Sequence, residues 1–384
     1  MKPANPREAI IDMQMKIEHA QLMNAGKRSK AWNVLKQRLV TAKVEEALTA
    51  PKVYVNGRKF TILRLLGEGG YSCVYEVYDV DKNLFALKIV DLNIQSDNVR
   101  QDLIREIVFL ERLKSCNLVV KAYDYEIRET ETEYKIFVLM EKGDKDMHQI
   151  MEEHRQNFTL SPAKLRYFWE QMLEAVQQVH DNNIIHADLK PGNFLLVQGN
   201  LKVIDFGLAT EITPGHDYIL RRFIGGTKEY MSPETMAGYI IEEGVINHEA
   251  MREREGVKVS PKSDVWALGI ILYQTVYGTL PFSSVPGGKL AKIKVLGDPH
   301  IPVEFEDVKN LNPLLLDTMR RCLQKSPEKR ASIEELLNHP YLRPDHDAEK
   351  AVVSRTCKSC KTREKQMAKL TKKRLNAFKN MSEW

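Results

Sequence analysis

Cysteine is scarce in this chain of 384 residues: Cys73, Cys116, Cys322, Cys357 and Cys360 are too few and too scattered for a disulfide scaffold, which points to a reducing compartment. Long apolar runs are missing too. The most lipid-like stretch, Val265 to Val276, is about half the length a bilayer requires and is interrupted by Gly269 and Gln274. The amino terminus, MKPANPREAIIDMQMKIEHA, places charges and amides where a signal peptide needs an unbroken apolar segment. The expectation is a soluble intracellular protein of nucleus or cytoplasm. With 43% hydrophobic and 28% charged residues, the composition excludes collagen-like or wholly disordered material. No charge of one sign dominates, since 57 Lys and Arg face 52 Asp and Glu, but the balance is uneven: residues 343–384 hold twelve basic against five acidic residues, and the remainder is near neutral.

What is present begins with helical spacing over residues 6–48. Ile10, Met13, Ile17 and Ala20 precede a break at Asn24–Ser29, and Trp32, Leu35, Leu39 and Val40 follow it. No second copy of this pair appears, so residues 1–50 read as a helical extension rather than a repeat array. From Lys59 the texture changes to short strand-like runs, 60–66, 72–80 and 84–90. A helical stripe follows over 97–115, then a further strand over 134–141. Beyond that the pattern is mostly helical to Leu342. The expected fold is α+β, with a small β-rich lobe (60–140) carrying one key helix, a junction at 141–146, and a larger α-rich lobe (147–342).

Gly67-Glu68-Gly69-Gly70-Tyr71-Ser72-Cys73-Val74 lies between two strands, so it is neither a dinucleotide-binding turn nor a P-loop, both of which lead into a helix. Such a hairpin can close over a triphosphate, because glycines let backbone N–H groups approach the oxygens. In Phe85-Ala86-Leu87-Lys88-Ile89, alternation puts Ala86 and Lys88 on one face. A lysine in so apolar a strand calls for an anionic partner. Glu106, on the helical stripe of Leu103 and Leu110, is the candidate. Further on, His186-Ala187-Asp188-Leu189-Lys190-Pro191-Gly192-Asn193 is followed by Asp205-Phe206-Gly207. Phosphoryl transfer needs a carboxylate to orient the attacking hydroxyl, a cation near the γ-phosphate and oxygen ligands for magnesium. Asp188, Lys190 and the pair Asn193/Asp205 supply these in order. A hairpin turning at Gln198–Asn200 would bring Asn193 and Asp205 together.

With these motifs the sequence resembles the eukaryotic protein kinases over about residues 60–342. Gly226–Glu234 (GTKEYMSPE), Asp264–Gly269 (DVWALG) and Arg330 within PEKRASIEELLNHPYL extend the likeness. Within that family it is most similar to the monopolar spindle (TTK) dual-specificity kinases, on HADLKPGNFLLVQGNLKVIDFGLA, Tyr123–Glu126, the long insert Thr235–Pro261 and the closing HPYL. The resemblance implies ATP and Mg2+ as cofactors. It implies an ATP site formed by Leu66, Gly67, Glu68, Gly69, Gly70, Tyr71, Ser72, Val74, Ala86, Lys88, Met140, Glu141, Gly143 and Leu195, with Met140 as gatekeeper. Lys88, Glu106, Asp188 and Lys190 take catalytic roles, Asn193 and Asp205 hold metal, Glu234 pairs with Arg330, and Asp264 braces the catalytic loop. Protein serine/threonine transfer is implied, with tyrosine as a secondary acceptor, together with a mitotic role and kinetochore localisation.

Ala187 stands where the family commonly has an arginine that binds activation-segment phosphate, so activity only partly switched by phosphorylation is expected. The activation segment, Asp205–Glu234, contains Thr210, Thr213, Tyr218 and Thr227 beside Arg221 and Arg222. Thr227 is expected to hold the catalytic loop through Asp188 and Lys190; the other three are candidate autophosphorylation sites. Cys357-Lys358-Ser359-Cys360 is half of a zinc motif with no second half nearby. The basic segment around it suits an acidic partner, nucleic acid or an anionic surface, or serves solubility alone. The rival reading of the whole chain is a pseudokinase scaffold acting through its helical N-terminus and basic tail.

Overall fold

The computed structural model describes residues 50–69, 72–92, 97–130, 134–157, 160–221, 225–236, 241–242, 245–246, 256–283, 285, 288–298, 300–308 and 311–343. The helical segment expected before residue 50, Gly70, Tyr71, Arg222 and residues 344–384, with Cys357 and Cys360, lie outside them. The chain divides into two compact units.

The first takes in, of the described residues, 50–64 and 77–83. Here β1 (Lys52–Val55) runs antiparallel to β2 (Arg58–Glu68), with Val55 opposite Arg58 and Lys52 opposite Thr61. The turn between them, Asn56-Gly57, has φ of +46° and +76°. Both central residues thus take the positive φ that suits tight hairpins, and Asn-Gly is the pair that adopts it most readily. Strand structure therefore starts ahead of the change in texture at Lys59. Val55, Phe60 and Val77 are fully buried. At the exit of β3 (Ser72–Tyr78), Asp79 accepts hydrogen bonds from the amides of Asp81 and Asn83, both 2.9 Å, closing the turn with its side chain.

The second unit holds residues 65–76 and everything from 84 onward. Within it β4 (Leu84–Asp91), α1 (Asp97–Arg112), β5 (Ala122–Glu129) and β6 (Tyr134–Glu141) follow in order. β6 pairs antiparallel with β4 on one side and β5 on the other, with Lys88 opposite Val138 and Val138 opposite Tyr125. The parts of β2 and β3 in this unit continue the sheet, in the order β2-β3-β4-β6-β5. β5 has an inverted pattern: Tyr123, Tyr125 and Ile127 are exposed while Asp124, Glu126 and Arg128 are half-buried, with Arg128 paired to Glu126 at 2.9 Å and stacked on Phe137. Burial is decided here by a charge pair and a ring, so hydrophobic alternation did not reveal it.

The remainder is mainly helical: α2 (Met147–Asn157), α3 (Pro162–Asp181), α4 (Pro233–Met236), α5 (Pro261–Tyr277), α6 (Gly288–Gly297), α7 (Pro313–Cys322) and α8 (Ile333–Leu337). Their starts follow capping chemistry. Ser161 accepts from the Lys164 amide ahead of Pro162, and Ser260 and Ser263 form a reciprocal box around Pro261. α5 is buried on nearly every side, with Val265, Trp266, Leu268, Ile271 and Leu272 at the centre of a core shared with Trp169, Met172 and Val176 of α3. The most lipid-like run of the sequence is thus core. Among the described residues no helix is long and apolar enough to cross a membrane.

Short antiparallel ladders decorate this helical part. β7 (Lys145–Asp146) pairs with β9 (Phe194–Val197), which pairs with β10 (Asn200–Val203); β8 (Ile184–Ile185) pairs with β11 (Thr210–Glu211). β12 (Ile219–Arg221) pairs with β15 (Val257–Val259), and β13 (Ile241–Glu242) with β14 (Val245–Ile246).

One cation fastens α6. Lys325 Nζ donates to Val295 O and Leu296 O at the helix's C-terminal end, 3.0 and 2.5 Å, with the Phe282 ring 5.0 Å away. Burial pulls the Lys325 ammonium down to about 8. The unfolded chain holds this proton up to about pH 10.4, so between those values the unfolded state binds more protons, and Lys325 favours folding increasingly as pH rises. The melting temperature of the wild type relative to Lys325→Met should therefore shift in the wild type's favour from pH 8 to pH 10, as calorimetry of the two proteins would show.

Candidate active site

Lys88 leaves β4 on the face that strand alternation assigns it and meets α1: its Nζ donates to both Glu106 carboxylate oxygens, 2.7 and 2.9 Å. Glu106 is 6% exposed. Burial opposes the charge on Lys88, but Glu106 and Asp205 outweigh it and hold the ammonium above its usual range. Asp205 is the mirror case. Burial pushes its carboxyl up, and Lys88, then His186, pull it further down, so it stays ionised. The fully buried His186 lies 5.2 Å, ring to ring, from Phe206 and contacts Ile204 O through Nε2 at 3.1 Å.

The loop between β8 and β9 carries the next residues. Asp188 Oδ2 accepts from Lys190 Nζ and its Oδ1 from the Thr227 amide, both 2.9 Å. Asn193 Nδ2 donates to Asp188 O at 2.9 Å. The Ile204 amide donates to Asn193 O, also 2.9 Å, so the β9–β10 hairpin, turning at Gln198 and Gly199, returns the chain beside Asn193 one residue before Asp205. Beneath the loop, Asp264 at the start of α5 accepts from the amides of His186 and Ala187, both 2.9 Å, and bonds His180 Nε2 at 2.8 Å. Burial works against this carboxylate, while the His180 contact leads the group of interactions that keep its pKa below normal. Ala187 sits at φ +62°, a conformation costing roughly 1 kcal/mol for a side-chain-bearing residue, and the bond to Asp264 helps to maintain it.

Just after β6, the Gly143 backbone presses on Leu195: a methyl group built at Gly143 would lie 2.3 Å from Leu195 Cγ. Met140 and Glu141 end β6, opposite Ala86 and Phe85 of β4. Leu66, Gly67 and Glu68 end β2, Ser72 and Val74 open β3, and the Gly69 amide donates to Ser72 O at 2.7 Å. Glu141 has a second partner the sequence reading missed. Its carboxylate receives Lys202 Nζ at 2.7 and 2.8 Å and the Lys121 amide at 2.7 Å. Lys202, 8% exposed in an apolar strand, carries the same signal that singled out Lys88. His180, on the buried side of α3, offered no comparable signal.

Thr210 sits in β11 opposite Ile185; Thr213 and Tyr218 are exposed, and Lys258 Nζ lies 4.5 Å from the centre of the Tyr218 ring. Thr227 reaches Asp188 through its amide, while Lys190 binds the other Asp188 oxygen directly. Glu234 and Arg330 meet in a two-pronged pair, 2.9 Å on each prong.

Among the described residues no three His, Cys, Asp or Glu side chains cluster closely enough to hold a metal by themselves. An ionised aspartate beside an amide-bearing asparagine nevertheless suits a hard cation that draws its other ligands from phosphate and water. Asn193 spends its amide nitrogen on Asp188 O, which leaves its side-chain oxygen to serve as a ligand.

A buried lysine–glutamate pair, a loop carboxylate flanked by lysine and asparagine, and an aspartate one hairpin away make up the constellation of the protein kinases. The chain belongs to the protein kinase domain family, which matches residues 60–342. Its relatives are kinases of the monopolar spindle type. It is 37% identical over 77% of its length to the dual specificity protein kinase Ttk of Danio rerio, covering 28% of that protein. It is 36% identical over 76% of its length to the serine/threonine-protein kinase mph1 of Schizosaccharomyces pombe, covering 44%. For the serine/threonine-protein kinase MPS1 of Saccharomyces cerevisiae the figures are 32%, 76% and 37%. The chain thus spans less than half the length of these curated relatives.

Proposed function

We propose that this chain transfers the γ-phosphoryl group of ATP to serine and threonine hydroxyls of proteins, with tyrosine as a secondary acceptor. The observation that carries the reading is the closed Lys88–Glu106 pair with Asp205 beside it, on the same unit as Asp188 and Asn193. Lys88, pinned by Glu106, meets the α- and β-phosphates as a fixed positive charge. Asp188, its carboxylate aimed by Thr227 and Lys190, orients the acceptor hydroxyl and takes its proton as the new P–O bond forms. Lys190 offsets charge on the transferring oxygens. Asn193 and Asp205 would hold Mg2+, which when bound neutralises charge on the phosphate oxygens. The end of β2 at Gly67 and Glu68 and the start of β3 at Ser72 and Val74 cover the phosphates, and the β6 end with Gly143 and Leu195 receives the adenine. By the resemblance to the monopolar spindle kinases, we assign the activity to mitotic signalling inside the cell, with a kinetochore as its site. For the basic segment 343–384 the proposed contact is an acidic partner, nucleic acid or an anionic surface, on its twelve basic against five acidic residues.

The test is transfer of labelled γ-phosphate by purified protein to itself and to a generic acceptor with magnesium, followed by phosphoamino-acid analysis. Phosphoserine and phosphothreonine are expected. Folded protein that binds ATP and transfers nothing would instead make the chain a scaffold.

The nucleotide pocket has its own check. Gly143→Ala drives a methyl into Leu195 and should raise the KM for ATP about tenfold through overpacking of roughly 1–3 kcal/mol. Gly143→Ala combined with Leu195→Ala should recover most of the loss in steady-state kinetics.

A further inference from the structure

The activation segment is sewn to a distant strand. β12 pairs with β15 in the register Ile219–Val259, Leu220–Lys258, Arg221–Val257. β15 lies at the C-terminal base of the long insert, immediately before α5. The close approach depends on Gly256: its φ is +120°, and a methyl there would lie 3.0 Å from Arg221 O and 3.2 Å from Arg221 C. Backbone atoms cannot swing away as a side-chain tip can, so only glycine fits.

The ladder also carries an apolar cluster. Ile185, Ile212 and Val259 are buried together, and Ala187 and Ile219 pack against them. Ala187 precedes Asp188, so the catalytic loop, the activation segment and β15 share one small core. Six residues beyond Arg221, the Thr227 amide reaches Asp188 Oδ1. Asp188 is therefore approached from both sides by chain that β15 holds: through Ala187 on its own loop and through Thr227 on the activation segment. Alanine at 187 brings methyl packing to this junction and no cation for a phosphate.

We propose that β15, with Gly256 and Val259 as its positioning residues, aligns Asp188 for phosphoryl transfer by strand pairing and apolar packing, so that the activation segment is set for transfer before any phosphate is added to it. The proposal rests on the kinase reading above. It makes the insert base part of the catalytic apparatus at one remove, acting through Ile219, Ala187 and Thr227 and touching neither substrate.

The experiment uses the full chain, phosphatase-treated and then assayed in initial-rate transfer to an exogenous peptide. Wild type should be active in this state. Gly256→Ala should lower kcat about tenfold or more, the scale on which small misplacements of a catalytic group act, with the KM for ATP unchanged, and hydrogen exchange over 219–221 should quicken. Leu220→Cys with Lys258→Cys places two thiols on directly opposed residues of the ladder. Oxidation of that pair in the Gly256→Ala background should restore kcat and slow the exchange again, with proteins carrying either cysteine substitution alone unaffected by oxidant. Should Gly256→Ala fail to fold, Val259→Ser, which leaves the backbone pairing intact and weakens only the cluster, should lower kcat in the same way. Faster exchange over 219–221 with an unchanged kcat overturns the proposal, as does a rate that tracks phosphate content alone whatever the state of the ladder. A wild type inert in every phosphorylation state overturns the kinase reading and this proposal with it, whereas an active wild type with an unaffected Gly256→Ala overturns the proposal alone.

Discussion

Replacing Asp188 by alanine should cut transfer of the γ-phosphoryl group by about 10²–10⁴, the range over which a positioned acid–base group contributes. ATP affinity should stay within about threefold, since Lys88, Glu106 and Asp205 form a separate set of contacts. The substitution removes two acceptors at once, one for Lys190 and one for the Thr227 amide. Two smaller effects therefore accompany the loss: the lysine is freed to wander, and the activation segment loses a tether. Single-turnover assays with labelled ATP separate them from the chemistry. Lys190→Met should leave a slower but measurable rate, and the double substitution should be no worse than Asp188→Ala alone, because groups acting as a unit are not additive. Equal rates for wild type and Asp188→Ala would remove Asp188 from the reaction.

The largest effect on stability is expected at Glu234. Arg330 is 1% exposed, and its guanidinium faces Glu234 on two prongs while also donating to Gln324 O and Lys262 O. The Trp266 ring lies 5.2 Å from its centre. Arginine does not shed its proton in a protein, so Glu234→Ala leaves a buried cation with only carbonyl partners. Removing one partner of a buried pair costs about 3–5 kcal/mol. For a domain of this size that is a fall of roughly 10 °C in melting temperature. Replacing both residues with apolar ones of similar volume should recover part of the loss, because no charge is then stranded. A melting temperature unchanged in Glu234→Ala would mean that the carbonyls suffice.

The residues most open to sequence reading were those whose chemistry conflicts with their surroundings. A lysine inside FALKI demands an anion, and Glu106 on an apolar helical stripe answers it; the two meet in the structure. The β9–β10 hairpin was visible in its turn residues, and with it the approach of Asn193 to Asp205. Lys202 obeys the same rule as Lys88, a cation in an apolar strand that meets a carboxylate, but its partner Glu141 lies 61 residues away with no helical stripe to single it out. Asn56-Gly57 is a strong hairpin signal that lay ahead of the apparent change in texture. The β12–β15 ladder was illegible for a different reason. Its strands are three residues long and nearly forty positions apart, so neither periodicity nor turn chemistry reports their pairing, and only the packing of the whole chain brings them together. Asp264 was legible only through the family resemblance, which has it brace the catalytic loop; it accepts from the His186 and Ala187 amides there, while its third partner, His180 of α3, carried no signal of its own.

β10 acts as a mooring. Lys202, within it, is bound to the carboxylate of Glu141, and three residues later comes Asp205. β10 ends at Val203 and Asp205 follows at φ +67°, so the strand's alternation sets the facing of Lys202 and the bend after it sets that of Asp205. One four-residue strand thus moors the carboxylate at the end of β6 and leads directly into the bend that carries Asp205. A one-residue slip of β10 against β9 would turn Lys202 to the opposite face and away from Glu141, so side chains along this strand can vary more freely than its length.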